Sequence, residues 1–154
     1  MSITISSRYS VIVMSPNNAP AAKAKPGDIV CFETLNCYSE RIQTEDDKMS
    51  LVPWECINPA TGPLYVEGAQ VGDVLKVEIL SIELADYGVM AVGPGFGVLG
   101  DVLQEERTRI LPIRDGKVLF NDRISLPVQP MIGVIGTAPK DGDIPTGTPG
   151  THGS

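Results

Sequence analysis

Gly72-Asp73-Val74-Leu75-Lys76-Val77-Glu78-Ile79-Leu80-Ser81-Ile82-Glu83-Leu84 is the stretch that decides the fold class. Leu75, Val77 and Ile79 alternate with Lys76 and Glu78, which puts apolar side chains on one face of a strand and charged ones on the other. The phase slips at Leu80, after which Ile82 and Leu84 alternate with Ser81 and Glu83, the pattern of a bulge or of burial on both faces. The Gly-Asp turn that opens this strand has a counterpart 45 residues earlier, where Gly27-Asp28 opens Ile29-Val30-Cys31-Phe32-Glu33-Thr34. That second run reads as a buried strand. Two turn-launched strands suit a sandwich or a barrel.

Working outward, the period stays near two and is broken by Gly and Pro. Tyr9–Met14 is a short apolar run ending at Ser15-Pro16-Asn17-Asn18, and Asn58-Pro59-Ala60-Thr61-Gly62 is a turn before Leu64-Tyr65-Val66. Arg109–Ile113 and Lys117–Phe120 flank Asp115-Gly116, the two-residue signal of a type I′ hairpin. Met131–Gly136 is a last apolar strand, and Tyr38–Ser50, polar and acidic, is a loop or a short solvated helix. The 154 residues hold 16 Gly and 13 Pro without strict period, beside 3 Phe and 1 Trp, so many turns join many short strands. The expected fold is all-β: a sandwich or distorted barrel of short antiparallel strands, with few or no long helices. Residues 1–136 form the expected β domain. Residues 137–154 are a Gly/Pro-rich tail whose one large apolar side chain is Ile144, too little to bury a face of its own.

Composition removes several function classes. A net charge of −7 and a pI near 4.6 leave no electrostatic footprint for nucleic acid and none for an anionic membrane surface. No apolar run approaches the roughly 18 residues of a transmembrane helix, and Met1–Met14 lacks the apolar core of a signal peptide. Three cysteines, Cys31, Cys37 and Cys56, are an odd number without CxxC spacing. They read as reduced thiols of a cytoplasmic protein, with Cys31 an inert thiol inside its strand.

Few residues carry chemistry by pattern alone. Gly95-Phe96-Gly97-Val98-Leu99-Gly100 fits GxGxxG, yet Asp101–Arg109 is a poor helix and Asp115 is used in a hairpin turn. The motif therefore reads as a loop where backbones pass closely, without a dinucleotide. His152 is the only histidine, so any Ser-His-Asp or Cys-His arrangement must use it. Spacing of the three cysteines and His152 is too wide to suggest a zinc site by itself. Glu33 ends an apolar run, where it either points to solvent on the alternating face or is an ionised group kept for work.

Longer motifs resemble a known family. Phe32-Glu33-Thr34-Leu35-Asn36-Cys37-Tyr38 is similar to the FETxD segment of the acetamidase/formamidase family, and Asn58–Ala69 is similar to its NPATGPxYVEGA segment. The likeness continues through Gly72–Leu75, Gly93–Gly97 and Ile132–Pro139. It reaches Thr148-Pro149-Gly150-Thr151-His152-Gly153, which resembles the start of the family's TPGxHGGNMD signature. Asn36 stands where Asp is usual, Glu40-Arg41-Ile42 departs from the usual ending, and Ser154 stands where a second Gly is expected.

Members of that family are roughly twice this length, so the chain resembles an N-terminal half: a fragment, a split subunit or a cleavage product. The resemblance implies hydrolysis of the C–N bond of small linear amides such as formamide and acetamide, with an all-β fold whose two halves pack together. By the same resemblance Glu33 serves proton transfer or metal support, and His152 serves as metal ligand or general base. Asn36 and Asn58 orient substrate, and a divalent metal such as zinc is the implied cofactor. The implied partners are a small amide and either further copies of the chain or a C-terminal half. The other reading is a catalytically silent β module.

Overall fold

A computed structural model describes residues 3–147. Its elements in chain order are β1 (Ile3–Ile5), β2 (Ser10–Val11), β3 (Val13–Met14), β4 (Ala22–Ala24), β5 (Val30–Phe32), β6 (Ala60–Thr61), β7 (Leu64–Val66), β8 (Tyr87–Val92), β9 (Arg107–Arg114), β10 (Lys117–Leu119), β11 (Ser125–Pro127) and β12 (Ile144–Pro145). Met49–Leu51 and Trp54–Cys56 are single 3₁₀ turns, the only helical pieces among the described residues. The chain is all-β, as its alternation and turns require.

Two compact units share the chain. The first takes residues 3–39, 54–77 and 133–147 of the described segment. It is built from four two-stranded ladders: β2 with β6 and β3 with β12 antiparallel, β1 with β5 and β4 with β7 parallel. The two parallel pairs depart from the expected all-antiparallel arrangement. Alternation reports which face a side chain takes and is blind to the direction of the neighbouring strand. Ile5, 1% exposed, and Ala24 are buried here.

The second unit, 40–53 and 78–132, contains an antiparallel meander in the order β11-β10-β9-β8. Asp115 and Gly116 both take positive φ, 51° and 71°, between Arg114 and Lys117, which pair across the turn. This is the type I′ geometry expected of Asp-Gly. Ile42, fully buried, and Leu111 form its described core. The GxGxxG segment folds onto itself: Gly95 N–H donates to the Gly100 carbonyl at 3.0 Å and Gly100 N–H to the Gly97 carbonyl at 3.1 Å. It is a closed glycine loop, as its sequence surroundings predict.

Three strand expectations need correction. Residues 73–84 and 131–136 join no ladder among the described residues. Alternation makes a strand possible, but a strand needs a neighbour to satisfy its backbone, and no described segment supplies one. The run Ile29–Thr34 does pair, through Val30–Phe32, but its strand is not buried and Cys31 is exposed. β5 is paired with β1 alone, so the described chain leaves it at an edge.

Candidate functional site

Glu33 follows β5 directly. Its N–H donates to the Ile5 carbonyl at 2.9 Å, which continues the parallel β1–β5 ladder, and its carbonyl accepts the Thr61 hydroxyl at 2.8 Å. The backbone of Glu33 is thus held from two strands while the residue itself is exposed.

Three residues on, the backbone turns. Asn36 Oδ1 accepts the Tyr38 N–H at 3.0 Å and the Asn36 carbonyl accepts the Ser39 N–H at 3.0 Å, an Asx-type turn. Ser39 takes φ +51°, and its hydroxyl donates to the Cys56 carbonyl at 2.6 Å. Asn58 closes the arrangement. Its N–H donates to the Cys37 carbonyl at 2.8 Å, and its own φ is +55°, a left-handed conformation that Asn tolerates better than most side chains. Glu33, Asn36 and Asn58 therefore stand on two segments, 33–39 and 56–61, cross-bonded at both ends within one unit.

A third segment reaches the same place. β12 pairs with β3, and both the N–H and the hydroxyl of Thr146 donate to the Ile12 carbonyl, at 2.9 and 3.0 Å. The next residue, Gly147, lies against Asn58, where an added Cβ would come within 3.0 Å of the amide nitrogen Nδ2. Thr61 and Gly147 were not singled out by sequence reasoning. The available signals were that Thr61 lies inside the Asn58–Gly62 turn and that Gly147 immediately precedes Thr148-Pro149-Gly150. His152 lies outside the described residues, as does the segment from Thr148 onward. Among the described residues, no group of three His, Cys, Asp or Glu side chains is placed to hold a metal ion.

The second unit carries an open cleft lined by Glu45, Asp46, Glu105, Glu106, Arg107 and Arg109 among others. Its acids serve structure where their bonds are visible. Glu106 accepts the Ser50 N–H at 2.9 Å and the Ser50 hydroxyl at 2.6 Å, and Glu45 accepts the Ile110 N–H at 3.3 Å. Slight burial works to raise the Glu106 carboxyl, but the Ser50 hydroxyl and N–H, the Met49 N–H and the charge of Lys48 together outweigh it and leave the group below its ordinary range. The Arg107–Glu105 pair, 3.4 Å apart with both side chains about three-quarters exposed, adds little.

The family model for acetamidases and formamidases matches residues 13–145, which include both cross-bonded segments. The chain belongs to the acetamidase/formamidase family. Among solved structures, an acetamidase from Bacillus halodurans is 45% identical with a TM-score of 0.95 over 98% of this chain. A predicted acetamidase/formamidase from the thermophile Thermoanaerobacter tengcongensis is 49% identical with a TM-score of 0.94 over 99% of it. An acetamidase from Yersinia enterocolitica is 26% identical, at a TM-score of 0.82. This family member spans about half the length of the structures it matches, 51% of each. No curated protein matches it. Among the described residues no helix is long and apolar enough to cross a membrane.

Proposed function

We propose that this chain supplies part of an amidohydrolase that cleaves small linear amides, formamide and acetamide among them, to ammonia and a carboxylate. One observation carries the reading: in a member of this family, the Glu33–Ser39 and Cys56–Thr61 segments are fixed to each other by the Asn58-to-Cys37 and Thr61-to-Glu33 hydrogen bonds. Such cross-bonding holds candidate polar groups in place before substrate arrives, which is where amide hydrolysis gains most.

In this reading water adds to the amide carbonyl, the tetrahedral intermediate expels the amine, and a proton delivered to nitrogen lets ammonia leave. Glu33 moves that proton, and the amides of Asn36 and Asn58 hydrogen-bond the substrate. His152 acts as general base or as a metal ligand. A divalent metal such as zinc would supply Lewis acidity, but the described residues offer no three-ligand set, so its ligands would be His152 and groups beyond residues 3–147. Cys31, Cys37 and Cys56, in no disulfide among the described residues, fit a cytoplasmic enzyme.

Ammonia release from formamide and acetamide tests this, measured for the chain alone and with a C-terminal half of a family member supplied. The chain alone should turn over slowly. The pair should be active, and His152→Ala should abolish that activity. Equal activity of wild type and His152→Ala in the pair would overturn the assigned role. A pair inactive on both amides would favour the second reading, a silent β module, to which the 51% coverage of the solved relatives gives its weight.

A further inference from the structure

The cleft of the second unit holds two charged groups that the fold itself does not use. It measures about 670 Å³, within the roughly 300–1,000 Å³ of small-molecule sites. Its floor is one face of the β8–β9 ladder: Met90 stands directly opposite Arg109 and Val92 opposite Arg107, so these four side chains share a face. The 43–47 turn lies along the same strand. It is tied there by the Glu45 carboxylate, which accepts the Ile110 N–H at 3.3 Å, and by the Asp47 carbonyl, which accepts the Thr108 hydroxyl at 2.7 Å. Asp46 stands between those two ties and lines the cleft.

Most of the charged groups on the cleft wall are engaged. Glu106 accepts the Ser50 hydroxyl and N–H, Glu45 accepts the Ile110 N–H, and Glu105 pairs with Arg107. Asp46 and Arg109 remain. Among the described residues neither side chain has a hydrogen bond or an ion pair, with each other or with any neighbour. Arg109 is nevertheless held in place. Its guanidinium lies over the Phe120 ring, 5.0 Å from the centroid, a contact that orients the group without neutralising it. One oriented cation and one anion therefore line a single cleft, too far apart to pair, with an apolar strip on its floor.

The geometry points to a binding site for a small zwitterion, an amino acid with an apolar side chain: its carboxylate meets Arg109, its ammonium meets Asp46, and its side chain lies on Met90 and Val92. Simpler ligands fit worse. Four carboxylates against two guanidinium groups repel a plain anion. A plain cation meets Arg109, and among the described residues no three acids converge on a metal ion. A neutral apolar ligand takes water from both charges and gives neither a partner. A zwitterion answers both, and a planar guanidinium already oriented by Phe120 suits a carboxylate in two-point contact. The site goes beyond the amide chemistry proposed above. It uses none of Glu33, Asn36 or Asn58, and it takes a charged ligand where that reading takes a neutral amide.

The probe is L-leucine, titrated into the full chain and followed by calorimetry and by the amide chemical shifts of isotope-labelled protein. The expected Kd is about 1 mM, the range open to so small a ligand, with shifts concentrated at residues 45–46, 90–92 and 107–109. Isocaproate, which is leucine without the ammonium, and leucine amide, which lacks the carboxylate, should each bind about tenfold more weakly or worse. Asp46→Asn should weaken leucine by about tenfold without weakening isocaproate. Arg109→Gln should weaken leucine by about tenfold without weakening leucine amide. Asp46 carries no bond of the fold, so its variant should melt with the wild type and keeps the test open even where loss of the Phe120 contact unsettles Arg109→Gln. The inference is overturned by the absence of saturable leucine binding, by isocaproate or leucine amide binding as tightly as leucine, or by leucine affinity indifferent to Asp46→Asn.

Discussion

Gly147 packs against the side-chain amide of Asn58 so closely that a Cβ at 147 would stand 3.0 Å from Nδ2. The contact joins a residue near the C-terminal end of the described chain to the turn whose N–H holds Cys37. Backbone conformation does not demand glycine at 147, since its φ is not positive, so space alone excludes a side chain. Gly147→Ala should therefore fold normally, with Tm within about 2 °C of wild type, but push the Asn58 amide aside by a few tenths of an ångström. In the assembled enzyme kcat/KM for formamide should fall roughly threefold to tenfold. Unchanged kcat/KM would remove the Asn58 amide from the substrate site.

Two substitutions separate the backbone conformation of Asn58 from the substrate contact proposed for its amide. With φ at +55°, Asn58→Ala pays a left-handed penalty of about 1 kcal/mol, which lowers Tm by roughly 2–4 °C in a chain of this size. Asn58→Gly escapes that penalty and should melt close to wild type. Both lose the amide, so both should lose about tenfold or more in turnover, the worth of one substrate hydrogen bond. Full activity in the glycine variant would make Asn58 a backbone device only.

What could be read in advance was local. The Asp115-Gly116 hairpin, the twin Gly-Asp turns and the closed glycine loop all follow from residues within a few positions of one another, and each stands where expected. Partnership across the chain was not legible. Nothing in Val30-Cys31-Phe32 says that its neighbour β1 runs parallel, or that the described chain leaves Cys31 uncovered. The strongest alternation in the sequence, 74–84, marks a segment without a described partner, because periodicity reports a strand's faces and never its edges. Glu33 stood out at the end of an apolar run, while its role, and Asn58 altogether, came only through family motifs. Thr61 and Gly147 act through a hydroxyl and through the lack of a side chain, and neither leaves a pattern.

Glu33 offers a clean separation of structure from chemistry. Its backbone carries the bonds to Ile5 and Thr61, and its exposed side chain carries none of them. Glu33→Gln should change stability by no more than about 0.5 kcal/mol, yet cut turnover of the assembled enzyme on the order of 10²-fold or more if the carboxylate moves the proton. Thr61→Val, which strips the hydroxyl from the Glu33 carbonyl, should cost about 1 kcal/mol and lower kcat more than it raises KM. Full activity of Glu33→Gln by ammonia release would exclude the carboxylate from proton transfer.

The glycine loop should be intolerant at one position. A Cβ on Gly100 would lie 2.6 Å from the Phe96 nitrogen and 2.9 Å from the Gly95 carbonyl carbon, both backbone atoms that cannot swing away. Gly100→Ala should destabilise the second unit by about 1–3 kcal/mol, visible as a lower urea midpoint. Gly95 and Gly97 have open space at the Cβ position but positive φ, 76° and 71°. Substitution there should cost less, about 1–2 kcal/mol from backbone strain alone. A Gly100→Ala midpoint equal to wild type would show that the loop is not closed in this way.

Acid should loosen the 43–47 turn that is tied to β9. Asp47 accepts the N–H groups of Gln43 and Thr44 and the Thr44 hydroxyl, at 2.9, 2.8 and 3.1 Å. The Gln43 N–H, then the Thr44 groups, hold its carboxyl below the ordinary value. Glu106 is also lowered, slight burial being outweighed by Ser50, Met49 and Lys48 together. A carboxylate with a depressed folded-state pKa contributes its full stability above the unfolded value, about 4 for either residue, and loses it as pH falls through the folded value. The Asp47 carbonyl also accepts the buried Thr108 hydroxyl at 2.7 Å, so releasing this turn frees its tie to β9. Tm should be flat from about pH 7 to 5 with respect to these two groups and fall below about pH 4. The double variant Asp47→Asn, Glu106→Gln should begin with a lower Tm at neutral pH and decline less steeply in acid. Parallel Tm curves for variant and wild type from pH 7 to 2.5 would show that neither carboxylate couples folding to protonation.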